Sequence, residues 1–287
     1  MFVLRPETPM PLEDELSDIL KKARNGQQRS VVDVARASGL SEVEVSDLER
    51  GQSPRSREQV RAVAKALGLR AEPLAQVVDG WTPEAFPSSL PHVETVFGSI
   101  GGYEVKGYVV HDRGEAVLVD TAYNAGGMLA VLAGRNLRLR AICLTHGHSD
   151  HAEGIEAILK AYPVPVYLGS DDLDLLSWRP AQQLLHVPQG GETLQVGGLT
   201  VRFMPTPGHT PGGVCYRVEQ AGAPICFVGD TLFAGSIGRS NPAGLYETHL
   251  ESVRKQVLTL VPDTRLFPGH GPATTVREEL LHNPFYS

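Results

Sequence analysis

Between Leu12 and Val78 the apolar residues recur at the three-to-four spacing of helices that lie on a core, and strand-like alternation is almost absent. LSDILKKAR is amphipathic. VVDVARASG runs to Gly39, and Ser41 and Glu44 form the reciprocal cap that opens SEVEVSDLERG, which stops at Gly51. Ser56 opens REQVRAVAKALG, closed by Gly68. An Ala-Ser-Gly turn between the second and third segments is the connection expected of a helix-turn-helix. Prolines then crowd DGWTPEAFPSSLPH, residues 79–92, and periodicity disappears, so this stretch reads as a linker.

From Val93 the pattern changes to strands mixed with helices. EVKGYVV and EAVLVD flank His-Asp-Arg-Gly as a hairpin, GGMLAVLAG is a helix, and AICL is a short buried strand. EGIEAILKAY is a helix and VPVYLG a strand; LTVRFMP, GVCYRVE and PICFVG are later strands, and a further helix is predicted from Tyr246 to Leu260. The organisation predicted is a small all-α domain over residues 10–78, a linker over 79–92, and an α/β domain over 93–287 whose sheets are covered by helices.

Composition narrows the possibilities. A chain of 287 residues can bury two cores, and no apolar run approaches the roughly 20 residues that cross a bilayer. The opening MFVLRPETPMPLEDEL lacks the apolar heart of a secretory signal, so a cytoplasmic protein without a membrane partner is expected. A net charge of -7 argues against the whole chain gripping a polyanion. Cys143, Cys215 and Cys226 stand in apolar stretches without the spacing of a thiolate site, and are expected to be buried and inert.

The chemistry concentrates in THGHSDH, Thr145 to His151, which follows AICL directly. Each imidazole brings two nitrogens that must be hydrogen-bonded, protonated or coordinated, and a metal is the simplest common partner. In extended chain, residues two apart point the same way, so His146 and His148 can converge on one ion. Asp150 and His151 follow where the chain enters a helix and can turn toward a second. Three more candidates, His209 in TPGHTPG, Asp230 in FVGDTLF and His270 in FPGHG, sit beside glycines at predicted strand ends.

This ordered set resembles the metallo-β-lactamase superfamily from Val93 to Ser287, and the resemblance implies a four-layer αβ/βα sandwich. It further implies that His146, His148 and His209 hold one ion, that Asp150, His151 and His270 hold the other, and that Asp230 bridges them. The cofactor expected is a pair of divalent ions, zinc by ligand type, with iron or manganese also compatible. Asp120 in VLVDTA matches an aspartate kept near the site, with a supporting role. Two such ions turn water into a nucleophile near neutral pH, with Asp150 orienting it as the catalytic carboxylate. A thiolate leaves readily, so thioesters are easier substrates than amides.

GDTLFAGSIGRSNPAG and PGHGPATTVREELLHNPF resemble the glyoxalase II-like branch, hydroxyacylglutathione hydrolases and their relatives. That resemblance implies a small-molecule thioester or ester substrate and places Arg239 and Ser240 at its anionic part. Persulfide dioxygenases, which use the equivalents of His146, His209 and Asp230 around one iron, resemble this sequence too. The helical segment resembles the lambda-repressor-like (XRE) family through VVDVARASGLSEVEVSDLERG and AVAKALGL, which implies DNA as a partner and a homodimer. A regulator whose metal domain senses a metabolite is the corresponding second reading. Glu42, Glu44, Asp47 and Glu49 would bring negative charge to the groove, leaving Arg50, Arg55, Arg57 and Arg61 as phosphate contacts.

Overall fold

The computed structural model describes residues 10–84, 90–219 and 224–286. The expectations for residues 1–9, at the start of the signal reading, and for linker residues 85–89 lie outside them. Short helices open the described chain: α1 (Leu16–Gly26), α2 (Val31–Ser38), α3 (Glu42–Glu49), α4 (Arg57–Ala66) and α5 (Ala71–Val78). The starts of α3 and α4 follow the caps read from sequence at Ser41 and Ser56, and α2 starts at a Ser30 cap that the sequence reading did not single out. The hydroxyls of Ser30, Ser41 and Ser56 accept from the amides of Asp33, Glu44 and Gln59, and Glu44 returns the bond to Ser41. At Gly39 the chain takes φ 73 and α2 ends. Helix α5 has no side-chain cap at Arg70, which is why its start carried no sequence signal.

Strands β1 (Val93–Ile100), β2 (Tyr103–Asp112) and β3 (Glu115–Val119) follow, then α6 (Ala125–Gly134), β4 (Arg138–Cys143), α7 (Ser149–Ala152), α8 (Ile155–Ala161), β5 (Val166–Tyr167) and β6 (Leu185–His186). They form a six-stranded sheet in the order β1 to β6. The second sheet collects β7 (Thr193–Val196), β8 (Leu199–Pro205), β9 (Val214–Glu219) and β10 (Ile225–Gly229). After α9 (Tyr246–Ser252) it adds β11 (Arg265–Pro268) and β12 (Thr274–Thr275), and α10 (Val276–His282) closes the chain; the strand order is β12-β11-β10-β9-β8-β7. The helix predicted from Tyr246 to Leu260 is α-helical only to Ser252 and widens into a π turn over Val253–Val257.

The continuous apolar runs arise because both faces of each sheet are covered. In β3, Val117 and Val119 point between the sheets toward Tyr216 and Phe227, while Ala116 and Leu118 point outward to Met128, Leu132 and Ile158 of the covering helices. In β10, Ile225 and Phe227 face inward, and Cys226 and Val228 face the opposite layer. The result is the expected four-layer sandwich preceded by a small all-α region. All three cysteines are buried and free.

The five amino-terminal helices do not hang from a tether. Ile19, Leu20, Leu48, Val63 and Leu74 share one buried cluster with Cys226, Val228, Leu266, Tyr246, Val253 and Phe285 of the second sheet and its helices. Gly26 meets Tyr246 so closely that an added Cβ would lie 2.2 Å from the ring. The Arg70 guanidinium donates to the carbonyls of Leu280 and Tyr286, both at 2.9 Å, and the Trp81 ring stacks on His282 at 4.7 Å. Leu20→Ala should therefore cost about 2–5 kcal/mol, as for other buried leucines, and lower the midpoint of one common transition. Urea unfolding followed by far-ultraviolet circular dichroism and, in a Trp178→Phe background, by Trp81 fluorescence checks this, with two separated transitions as the contrary result.

Candidate metal centre

Four strands of the sandwich deliver their carboxyl ends to one edge, and each of the loops that follow carries a candidate ligand. β4 leads into His146, His148, Asp150 and His151; β8 into His209; β10 into Asp230; β11 into His270. Glycine is required where these loops crowd together. An added Cβ at Gly269 would fall 2.3 Å from the His151 ring and 2.7 Å from an Asp230 oxygen, so any side chain there would enter the space between the ligands.

The candidates separate into two groups. One donor atom each from His146, His148 and His209 lie within 4.8 Å of one another, and so do donors from Asp150, His151, Asp230 and His270. Asp230 stands between them, with Oδ2 3.7 Å from Nε2 of both His209 and His270, and Oδ1 3.2 Å from His151 Nε2. On the other side of the second group, His270 Nε2 lies 3.2 Å from Asp150 Oδ2. Sequence spacing put His146 beside His148, and the fold keeps them so, with ring centroids 4.7 Å apart.

Most of the rings are oriented from behind. His151 Nδ1 donates to Asp120 at 2.8 Å, His209 Nδ1 to the Arg239 carbonyl at 2.8 Å, and His270 Nδ1 to the Glu104 carbonyl at 2.7 Å. His146 Nδ1 lies 3.0 Å from the Thr145 hydroxyl, itself a donor to Asp120. With the outer nitrogen so engaged, the inner Nε2 is turned toward the shared space, where it can offer its lone pair to a cation. The buried Nε2 atoms of His146 and His151 and Oδ1 of Asp230 have no hydrogen-bond partner. Unpaired buried acceptors facing one another are costly, and cations would satisfy them together. These residues therefore fit a pair of divalent ions.

Electrostatics divide the cluster: burial opposes protonation, but Asp230 and Asp120 raise His151 well above the usual histidine range and Asp230 and Asp150 raise His270, so a cation there would take the place of their protons. Burial, reinforced by neighbouring His151 and His209, holds His146 well below the usual histidine range, and burial pushes His209 down to about 3. Both are thus neutral, as ligands must be. Burial opposes ionisation of Asp230, but the surrounding imidazoles outweigh it and keep this carboxyl well below its ordinary range.

Asp120 lies directly behind the His151 ring. Its carboxylate accepts from the Thr145 amide at 2.7 Å as well as from His151, and its own backbone is left-handed at φ 57. Two supports went unread in the sequence. Asp172, fully buried, accepts from the Gly147 amide at 3.1 Å, the Thr210 hydroxyl at 2.7 Å and the Gly212 amide at 2.7 Å, tying the His148 loop to the His209 loop. It lies in DDLDLL, among other aspartates, where no local pattern sets it apart. Buried Lys106, pushed down to about 7 by burial, donates its amide to the Gly269 carbonyl at 2.8 Å and its ammonium to that of Gly271.

The remaining candidates lie outside the ligand groups. Arg239 is exposed and directly precedes Ser240, whose hydroxyl is 3.1 Å from His249 Nδ1. His249 is fully buried and its Nε2 donates to the Thr231 carbonyl at 2.7 Å, a hydrogen-bonded histidine beneath the site. In the helical region Arg50 pairs with Asp47 at 2.5 Å, Arg55 with Glu44 at 3.4 Å, Arg61 with Glu58 at 3.5 Å, and Arg57 with Asp79. No helix among the described residues is long and apolar enough to cross a membrane.

Comparison with known proteins agrees with this arrangement. Residues 100–270 match the metallo-beta-lactamase superfamily, and residues 15–77 match a helix-turn-helix domain. The hydroxyacylglutathione hydrolase GloC of Haemophilus influenzae is 32% identical over 190 residues, covering 61% of this chain and 88% of that protein. Among solved structures, BLEG-1 B3 metallo-beta-lactamase is 30% identical with a TM-score of 0.59, covering 67% of this chain and 98% of its own. TTHA1623 in a di-iron-bound form is 30% identical with a TM-score of 0.56, covering 66% and 99%. With its converging ligand loops and sandwich of sheets, this chain belongs to the metallo-beta-lactamase superfamily and carries a helix-turn-helix domain ahead of the metal-binding fold.

Proposed function

We propose that the chain is a metal-dependent thioester hydrolase of the glyoxalase II-like kind. The observation that carries this reading is the Asp230 carboxylate standing between two separate donor groups, an arrangement suited to a pair of ions. His146, His148 and His209 would hold one, Asp150, His151 and His270 the other, with Asp230 shared. When bound, two such ions supply a hydroxide near neutral pH and polarise a carbonyl. Zinc suits the donors, and the di-iron form of TTHA1623 makes iron equally worth assay.

The chain's own part is orientation and charge. Asp150, with 23% of its side chain exposed, presents its carboxylate at the mouth of the site and accepts a hydrogen bond that aims the attacking water. Asp120 and the Glu104 carbonyl fix the rings of His151 and His270 so that their lone pairs face inward. Exposed Arg239, directly after Gly238, which packs against the Asp230 carbonyl, offers a guanidinium to an anionic acyl or carrier group. A departing thiolate needs no dedicated proton donor, which favours thioesters. The resemblance to GloC supports the same reaction class.

A persulfide dioxygenase would use only His146, His209 and Asp230, leaving the grouping of Asp150 with His151 and His270 without a purpose. The helix-turn-helix match supports a second role, attachment to DNA. Against it stand the acidic partners of Arg50, Arg55 and Arg57, which offset the charge those side chains would bring to phosphates. We read the domain as a docked module that can also pair two copies of the chain in the cytoplasm.

Asp230→Ala should lower thioester turnover by at least about a thousandfold, the scale of losing an essential electrostatic group, and reduce bound metal below the two ions expected of the wild type. Elemental analysis with a thioester panel checks this; oxygen uptake on a persulfide, with one iron per chain and no hydrolysis, would sink the proposal. His148→Ala should likewise abolish hydrolysis while leaving any retardation of DNA intact. If the arginines do reach phosphates, retardation at low salt should appear with wild-type protein and weaken in Arg55→Ala; no shift at low salt removes the DNA role.

A further inference from the structure

The loop from Asp230 to Ser240 begins with the carboxylate shared by both donor groups and nearly ends with the carbonyl that orients His209. Its middle is held by the helical domain. The Ser236 hydroxyl donates to Asp14 at 2.5 Å, Asp14 accepts in turn from the Lys22 ammonium of α1, and that ammonium donates to the Ile237 carbonyl at 2.8 Å. The same ammonium lies 4.8 Å over the ring of Phe233, which meets the His270 ring edge-to-face with centroids 6.0 Å apart. Asp14 and Lys22 are largely buried, with side-chain exposures of 7% and 14%. Next along, Gly271 follows His270 in a left-handed turn, and an added Cβ there would lie 2.9 Å from the Glu13 amide.

We infer that Asp14 and Lys22 are positioning residues for the metal centre, so that the helix-turn-helix domain is a working part of the site rather than an appendage. A loop of this length has enough backbone freedom to move Asp230 and the Arg239 carbonyl out of register. The buried ion pair takes up its free hydroxyl, its free carbonyl and one aromatic face at once. By reciprocity, filling the metal site favours the docked position of α1, and any partner that shifts α1 changes cation affinity by the same factor.

This inference rests on the two-ion reading above, but its test measures cation affinity and not turnover, so a wrong substrate leaves it standing. Zinc titration of the full chain against a chromophoric chelator first establishes two sites in the wild type; if there are none, the two-ion reading itself has failed. Lys22→Met should then weaken zinc binding about 10–100-fold, the range for residues that orient ligands. The added zinc should also raise its melting temperature by less than it raises that of the wild type. Arg70→Ala, which loosens the same domain contact and reaches the loop only at second hand, through the Asn283 amide that donates to the Ser236 carbonyl, should lower the melting temperature of the metal-free protein while weakening zinc binding by less than Lys22→Met does. Should Lys22→Met not fold, Ser236→Ala, which removes one hydrogen bond, should still weaken zinc binding more than Arg70→Ala does. Equal zinc affinity in the loop variants and in Arg70→Ala would overturn the proposal.

Discussion

A buried carboxylate surrounded by imidazoles is the constraint on which the rest of this molecule depends. Asp230 would be costly to bury as an isolated anion, and its neighbours would be costly as a cluster of unpaired nitrogens. Together they define a space that positive charge can fill. The strand ends, the loop lengths and the glycines around it are arranged so that these groups approach within a few ångströms without side chains intruding.

Holding that cluster requires a layer of residues that never reach the ions. Asp120 binds the Thr145 backbone and the His151 ring from one side, while Asp172 ties the loops of His148 and His209 from another. The chain accepts left-handed backbone at Asp120, Ala122 and Tyr123 to bring the first of these carboxylates into place. Local conformational cost is offset by hydrogen bonds in a region where water cannot compete. The outcome is a set of imidazoles held in fixed orientation, their inner nitrogens turned toward the shared space before any cation arrives.

The helical domain changes meaning once its packing is considered. As text it is a module of a kind that often acts alone, with conventional caps and a recognisable turn. In the fold its apolar faces are completed by the second sheet and by α9 and α10, and its first helix reaches the loop that carries Asp230. Many of its arginines are matched by its own acids. A domain so placed contributes rigidity to the chemistry next to it, and any partner it takes must bind the assembled pair of domains.

Local signals were enough for much of this. Caps at Ser41 and Ser56, the stop at Gly39 and the apolar runs of β3 and β10 depend on hydrogen bonds and periodicities only a few residues long, so they are visible in the string itself. The seven candidate ligands were legible for a similar reason: His146, His148, Asp150 and His151 are neighbours, and His209, Asp230 and His270 each stand beside glycine at a strand end. Asp172, Lys106 and the Asp14–Lys22 pair carried no such mark, because their partners lie far away along the chain, as Ser236 does from Asp14. Their roles exist only after the sheets have stacked and α1 has docked. Sequence determined which side chains could bind metal; tertiary structure decided what holds them still, since orientation by burial and distant hydrogen bonds has no counterpart in local spacing.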